Sequence, residues 1–410
     1  MNGSNKSFDT GRREGIFLIL SVIATLLCSM PYLDISGKIV IEPWYNKKVS
    51  GFPNECKIST SVISDAAEYN VHAEISPSSM NRFPFKNISI LNNMFSYRSK
   101  HLILSNITGN KLGALIWNGL WINEPYMDHF VATHGVIIKE FDEAIYLSNN
   151  YMKMYAHWFL DLFAPFNLLP EDVKRNYPLI TGTNSSIVAE IYSALGYDVK
   201  NLYQIPSKKD YVFVRRMHTV VGYNQVNGHI GLSLRKLRDA LAPALNLDSS
   251  PPTRYVLFNR KPNEMRYYQN FEKLCSKVKH EFKQFQWEVI LTVQMDLNST
   301  VKLWNSVKLV FAATGSTFAN AIFMQKNSAA CVHLADWYDT PAMQTCLSYG
   351  VKLFVSDTPK CQHFVKCNCT ASINSAVESI GRAISYLSKL SDTQFDIMNV
   401  DKDNYTIVSM

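Results

Sequence analysis

Apolar residues along the chain form short runs bounded by turn residues, and these alternate with stretches in which they recur at helical spacing. The short runs read as strands and the periodic stretches as helices. This predicts a strand over 143–148, a helix over 154–169, a short strand over 178–181 and a helix over 187–195 ended by Gly196. Apolar segments follow over 199–205 and 211–221. Residues 240–253 interrupt the pattern, because Pro251 and Pro252 cannot continue a helix, and a hinge between two domains is expected there. Beyond it, strands over 254–259, 287–291, 308–313, 329–334 and 351–355 alternate with helices over 267–282, 299–305, 318–325, 341–349 and 373–390. Strands separated by helices predict an α/β fold with parallel sheet buried on both faces.

Before residue 85 the pattern is different. Residues 34–84 are turn-rich, with Gly37, Pro43, Gly51, Pro53 and Pro77, and read as a stem. Residues 15–33 are uncharged and long enough to cross a thin bilayer as a helix. Arg12 and Arg13 stand just before them, which holds tail 1–14 in the cytoplasm and sends the rest across as a single-pass type II protein. A cleaved signal peptide competes with this reading, although Cys28, Ser29, Met30 and Pro31 offer no small-x-small cleavage site. Asn87, Asn106, Asn184, Asn298, Asn368 and Asn404 each open a glycosylation triplet, as suits a lumenal chain; Asn2 and Asn5 do so on the cytoplasmic side. The division is thus a tail 1–14, an anchor 15–33, a stem 34–84, domains 85–245 and 246–395, and a tail 396–410.

Composition narrows the class. With 47% hydrophobic and 18% charged residues the chain is too apolar to be disordered, and 410 residues exceed one ordinary domain. The net charge of +7 is spread out, and the densest basic stretch (Lys208, Lys209, Arg215, Arg216, Arg235, Lys236 and Arg238) lacks the aromatic and glycine pattern of a strand binder. Nucleic acid is not an expected partner. With Cys28 in the anchor, Cys56, Cys275, Cys331, Cys346, Cys361, Cys367 and Cys369 remain in an oxidising space, an odd number that leaves at least one unpaired or intermolecular. The group Cys361, His363, Cys367 and Cys369 has short metal-like spacing, yet it has no second knuckle and sits in a disulfide-forming compartment, so disulfide or free thiol is expected.

In parallel sheets ligands bind beyond the carboxyl ends of strands. After 308–313 come Thr314, Gly315, Ser316 and Thr317 and a helix carrying Asn320, a small-residue loop whose N–H groups and hydroxyls suit phosphate and equally suit an ordinary turn. After 254–259 come Asn259, Arg260, Lys261 and Arg266, guanidinium donors for phosphate oxygens or an exposed basic loop. On the 154–169 helix, His157 and Asp161 lie one turn apart, as a proton-accepting couple or as polar edge residues satisfying each other. The acidic triplet Asp401-Lys402-Asp403 lies in the tail and reads as solvated, so no catalytic cation is expected.

In this order the three segments resemble family 61 glycosyltransferases. The resemblance rests on Ala156-His157-x-x-x-Asp161 with Pro165, on the strand ending in Arg260 followed by Arg266 and Asn270, and on Thr314-Gly315-Ser316-x-x-x-Asn320 before an apolar helix. Thr314 replaces the usual His, Ser316 the usual Ala, and His333 a common Glu or Gln. The resemblance implies a GT-B architecture, two Rossmann-like domains facing a cleft, with the C-terminal one holding a nucleotide-sugar donor. It implies inverting, metal-free transfer of a hexose or pentose, with a UDP-sugar as the expected donor, to a glycan or glycoprotein in the Golgi or endoplasmic reticulum. Asn259, Arg260, Arg266, Thr314, Gly315, Ser316 and Asn320 would bind the donor. Asp161 would be the base and His157 its orienting partner, with the reverse open. No cofactor is implied. A catalytically degenerate lumenal relative that binds glycans or a partner transferase is the alternative.

Overall fold

The computed structural model describes residues 58–62, 72–75, 99–117, 120–121, 136–183, 185–221, 232–262, 264–291, 296–337, 339–358, 361–365, 369–391 and 406–408. The expected anchor 15–33, Cys56, Cys367, and Asp401 and Asp403 lie outside these residues. Among the described residues no helix is long and apolar enough to cross a membrane.

The strands are β1 (Ile58–Val62), β2 (His72–Ile75), β3 (Lys100–Asn110), β4 (Leu115–Trp117), β5 (Leu120–Trp121), β6 (Val136–Tyr146), β7 (Leu179–Thr181), β8 (Leu202–Gln204) and β9 (Asp210–Val221). Then come β10 (Arg254–Asn259), β11 (Trp287–Leu291), β12 (Val307–Ala313), β13 (Ala329–Leu334), β14 (Lys352–Asp357) and β15 (Thr406–Val408). Helices are α1 (155–168), α2 (Glu171–Asn176), α3 (Ser186–Ala194), α4 (Leu232–Leu241), α5 (Phe271–Glu281), α6 (Leu297–Asn305), α7 (Thr340–Ser348) and α8 (Ile373–Ser391).

The C-terminal sheet runs β11-β10-β12-β13-β14-β2-β15, with every pairing parallel. Its strands alternate between two cores. Val256 and Phe258 of β10, Val310 and Ala312 of β12, and Val332 and Leu334 of β13 face one core; Leu257, Leu309, Phe311 and Cys331 face the other. The second core is closed by Phe271, Leu274 and Val278 of α5 and by Ala376, Ile380 and Ala383 of α8. Burial on both faces is why these strands read as unbroken apolar runs.

The N-terminal sheet, β5-β4-β3-β9-β6-β7-β8 with β1 on β3, is mixed. β6 pairs parallel with β9 and with β7, but β3 pairs antiparallel with β9 along its length. A purely parallel sheet is therefore corrected here: β3 runs antiparallel to β9, an arrangement that requires no crossover connection between them. The stretch read as a stem also contains two strands, β1 on the N-terminal sheet and β2 between β14 and β15. Both are too short to show a period, and pairing with existing strand edges supplies their hydrogen bonds.

The lobes share one continuous core. Trp158, Phe159 and Phe163 of α1 and Leu234 and Leu237 of α4 belong to the same buried cluster as Val256, Val310 and Phe323. The 240–253 segment, expected as a hinge, is the end of α4 and a run of turns spanning that core. Any opening between the sheets would expose these side chains, at about 25 cal/mol per Å².

Candidate active site

Helix α1 is not uniform. Tyr155–His157 is α-helical, Trp158–Phe163 widens into a π-helix whose next N–H, on Ala164, donates to the carbonyl of Phe159, and Ala164–Leu168 resumes the α-helix. Pro165 explains the widening, since it has no N–H and its ring crowds the carbonyl four residues earlier, that of Asp161. On this distorted turn Nδ1 of His157 donates to Oδ2 of Asp161 at 2.6 Å. The same oxygen accepts from Nδ2 of Asn149 at 2.9 Å, and Tyr151 stacks on the imidazole with centroids 5.1 Å apart. Asp161 is the deeper member, its side chain 6% exposed against 12% for His157. Burial pushes its carboxyl above the ordinary range, while the His157 and Asn149 contacts oppose that shift.

The second cluster forms where β10 and β12 end. Gly315 has φ 132° and ψ −161°, a conformation open in practice to glycine alone. A Cβ there would collide with Nη2 of Arg260 and stand 2.9 Å from Nη2 of Arg266, so both guanidinium groups lie against this backbone. Nη2 of Arg260 donates to the Thr314 carbonyl at 3.1 Å, and Nη1 of Arg266 donates to Nε2 of His363. Arg266 itself holds a left-handed φ of 64°. Nε of each arginine is buried without a hydrogen-bond partner. Burial lowers the pKa of both, and the neighbouring charge of Arg260 helps bring Arg266 down to about 10. His363 falls to about 4 through burial and then through Arg266.

The other expected donor residues divide. Asn259 binds its own loop: Oδ1 accepts from the N–H of Arg260 and of Tyr268, and Nδ2 donates to the Tyr268 carbonyl, so it shapes the turn that carries the arginines. Thr314, read as a hydroxyl donor, is fully buried and donates instead to Oδ2 of Asp339 at 2.7 Å, because a buried hydroxyl must find a partner. Ser316 is exposed and opens a 3₁₀ helix, Ser316–Phe323, in place of the helix expected over 318–325. Asn320 on that helix accepts the phenol hydrogen of Tyr155 at 2.5 Å, which ties this cluster to α1 beside His157. Phe159 and Phe323 pack edge to face along the same seam.

One stretch of the chain that runs through both clusters matches a known family. Residues 155–331 match Glycosyltransferase 61. Over this segment the chain is similar to the family 61 glycosyltransferases. The match begins at the first residue of α1 and ends within β13, so it contains His157, Asp161, Arg260, Arg266, Gly315 and Asn320. The family implies sugar transfer from a sugar donor to a glycan acceptor. No curated protein matches the chain.

Sequence reasoning passed over Tyr155, Asn149, Tyr151 and Asp339, and weighed His363 only as part of a cysteine cluster. An imidazole does stand beside the arginines despite Thr314, but it comes from His363, beyond the matched glycosyltransferase 61 segment. Cys361 and Cys369 form a disulfide, while Cys275, Cys331 and Cys346 are buried free thiols. His333 is sealed in β13, with Nδ1 bonded to the Ser356 hydroxyl at 2.6 Å, and burial lowers its pKa to about 3. Among the described residues no three His, Cys, Asp or Glu side chains gather as a metal cage.

Proposed function

We propose that this is an inverting glycosyltransferase of GT-B type. It moves a hexose or pentose from a nucleotide-sugar, a UDP-sugar first, to a glycan or glycoprotein hydroxyl without a metal, and it works in the Golgi or endoplasmic reticulum lumen behind a type II anchor. The observation that carries the reading is the convergence of Arg260 and Arg266 on the Gly315 backbone, one hydrogen-bonded step from the helix of His157 and Asp161. Two buried guanidinium groups this close repel one another, and a diphosphate converts that repulsion into attraction.

The bond from the anomeric carbon to the diphosphate breaks as the acceptor oxygen bonds the opposite face, so configuration inverts. The charge growing on the departing oxygen meets Arg260, Arg266 and the first N–H groups of the 3₁₀ helix, an electrostatic stabilisation usually worth several kcal/mol in all. The acceptor proton goes to the His157–Asp161 pair. Relative burial favours Nε2 of His157 as the receiving atom, with Asp161 holding the ring and stabilising the imidazolium, the second of the two role orders left open by the sequence.

The test is initial-rate transfer from a panel of uridine and guanosine diphosphate sugars. Asp161→Asn and His157→Ala should each lower turnover by about 100-fold or more. A loss under about tenfold, roughly 1.4 kcal/mol of barrier, is too small for a positioned base. The degenerate reading draws on Thr314, whose hydroxyl is bonded to Asp339, and on His333, buried in β13 against the Ser356 hydroxyl. Wild-type chain that binds these donors but transfers from none would establish it.

A further inference from the structure

Two exposed aromatic rings stand beside the arginine pair. Trp337 is 53% and Phe364 68% exposed, and their rings meet with centroids 5.4 Å apart at 64°. Isolated exposed aromatics are ordinary surface, but this pair is held on both sides. The N–H of Asp336 donates to the Cys361 carbonyl at 2.8 Å, and Oδ1 of Asp336 accepts from the N–H of His363 at 2.7 Å. The Cys361–Cys369 disulfide closes the loop that carries Phe364. His363 connects platform to charge: its ring lies 4.6 Å from that of Phe364, and its Nε2 accepts from Arg266.

We infer that Trp337 and Phe364 are the stacking platform for the donor's nucleobase. The inference rests on reading Arg260 and Arg266 as the diphosphate site. From α1 outward the contacts run His157 and Asp161, Tyr155, Asn320, the Gly315 loop with Arg260 and Arg266, His363, and last Phe364 and Trp337. A nucleotide-sugar has the same order: a sugar at the reacting end, a diphosphate in the middle, a flat heterocycle at the far end. A planar base stacks on aromatic faces regardless of its identity, and rings fixed in advance lose little freedom on binding it. Both rings lie beyond residue 331, outside the segment that matches the family.

The experiment titrates UDP, a UDP-sugar and inorganic pyrophosphate by calorimetry into wild type, Trp337→Ala, Phe364→Ala and Trp337→Phe. Unchanged thermal melting of the variants shows that the fold is intact, as their exposure leads one to expect. Trp337→Ala should weaken UDP and the UDP-sugar alike by about tenfold and leave pyrophosphate within about twofold, with Trp337→Phe restoring most of the loss. Equal weakening of all three ligands, or of none, overturns the inference. Weakening of the UDP-sugar but not of UDP also overturns it, because the rings then hold the sugar. If wild type binds no pyrophosphate, or binds it equally well in Arg260→Ala, the diphosphate reading fails and the platform falls with it. Pyrophosphate bound through Arg260 beside an inert Trp337 sinks the platform alone.

Discussion

Arg238 and the pair Arg260 and Arg266 are all charged groups taken largely out of water, and the fold treats them in opposite ways. Arg238, on α4, is 3% exposed; its Nη2 donates to both oxygens of Asp248 at 2.6 and 2.8 Å, and Nη2 and Nε donate to the Met324 carbonyl at 3.1 and 3.3 Å. Both Nε and Nη2 of Arg238 therefore have partners within the protein. Arg260 and Arg266 face each other across a glycine, with both Nε atoms buried and unpartnered, and the nearby Asp339 already accepts the Thr314 hydroxyl. Arg266 also adopts a left-handed backbone, which costs about 1–2 kcal/mol. Desolvation, mutual repulsion and backbone strain at one spot are what the proposed anion site would account for. Burial of an arginine thus says little until its hydrogen bonds have been traced.

The contrast breaks most sharply on substitution. Arg260→Ala and Arg266→Gly should each cut kcat/KM for a nucleotide-sugar by about 100- to 1000-fold, some 3–4 kcal/mol, with melting temperature held or raised. Arg266→Gly removes charge repulsion and backbone strain together, so its stability gain should be the clearer. Arg238→Ala should do the reverse: about 2 kcal/mol of stability lost in urea titration as the Met324 carbonyl goes unpaired, with turnover of the folded fraction intact. An Arg266→Gly protein that melts like Arg238→Ala would erase the distinction.

Gly315 sharpens it with a smaller change. Alanine there brings φ strain and contact with the ends of two flexible side chains, which can shift. About 1–2 kcal/mol of stability should be lost. The donor KM should rise about tenfold in initial-rate assays as the guanidinium groups are pushed apart. Asparagine, which tolerates some left-handed conformations but adds a Cβ, should do no better.

Much of the C-terminal lobe was legible because a parallel strand buried on both faces leaves its mark in the strand itself. β10, β12 and β13 begin and end within about a residue of their expected limits, since Val256, Leu257, Val310, Phe311 and Val332 must all be apolar whichever face they serve. The N-terminal lobe was less legible. β3 holds its place by antiparallel pairing with β9 more than a hundred residues away, and no local period reports a partner at that range. Site residues at strand ends, Arg260, Arg266 and Gly315, could be named from turn chemistry, but the groups that meet them could not. His363 reaches Arg266 across 97 positions and Asn320 meets Tyr155 across 165, distances that only folding closes. The π-helical turn was implicit in Pro165, but the helical period of α1 concealed it.

The smallest expected effect separates two buried histidines. His101 accepts no ligand in this scheme. Its Nε2 contacts Nδ1 of His218 at 2.9 Å, and burial followed by the His218 neighbour lowers its pKa to about 4. Because the unfolded chain binds that proton near pH 6.5 and the folded chain does not, stability falls as pH drops from 6.5 toward 4, by at most about 1.4 kcal/mol per unit. His363 starts from a similar pKa of about 4, but its neighbours are Arg266, Arg260, Asp336 and Asp339. A diphosphate bound to the arginines would raise that pKa, so donor binding should take up a proton and strengthen as pH falls through the same window. A nucleotide-sugar is the proper probe, since its diphosphate does not itself titrate there. The ligand-induced rise in melting temperature should therefore be larger at pH 5.5 than at pH 7.5, by an increment on the order of 0.5 kcal/mol, even as the ligand-free baseline declines. An increment equal at the two pH values would mean that His363 senses no charge at the arginine pair, and the anion would have to sit elsewhere.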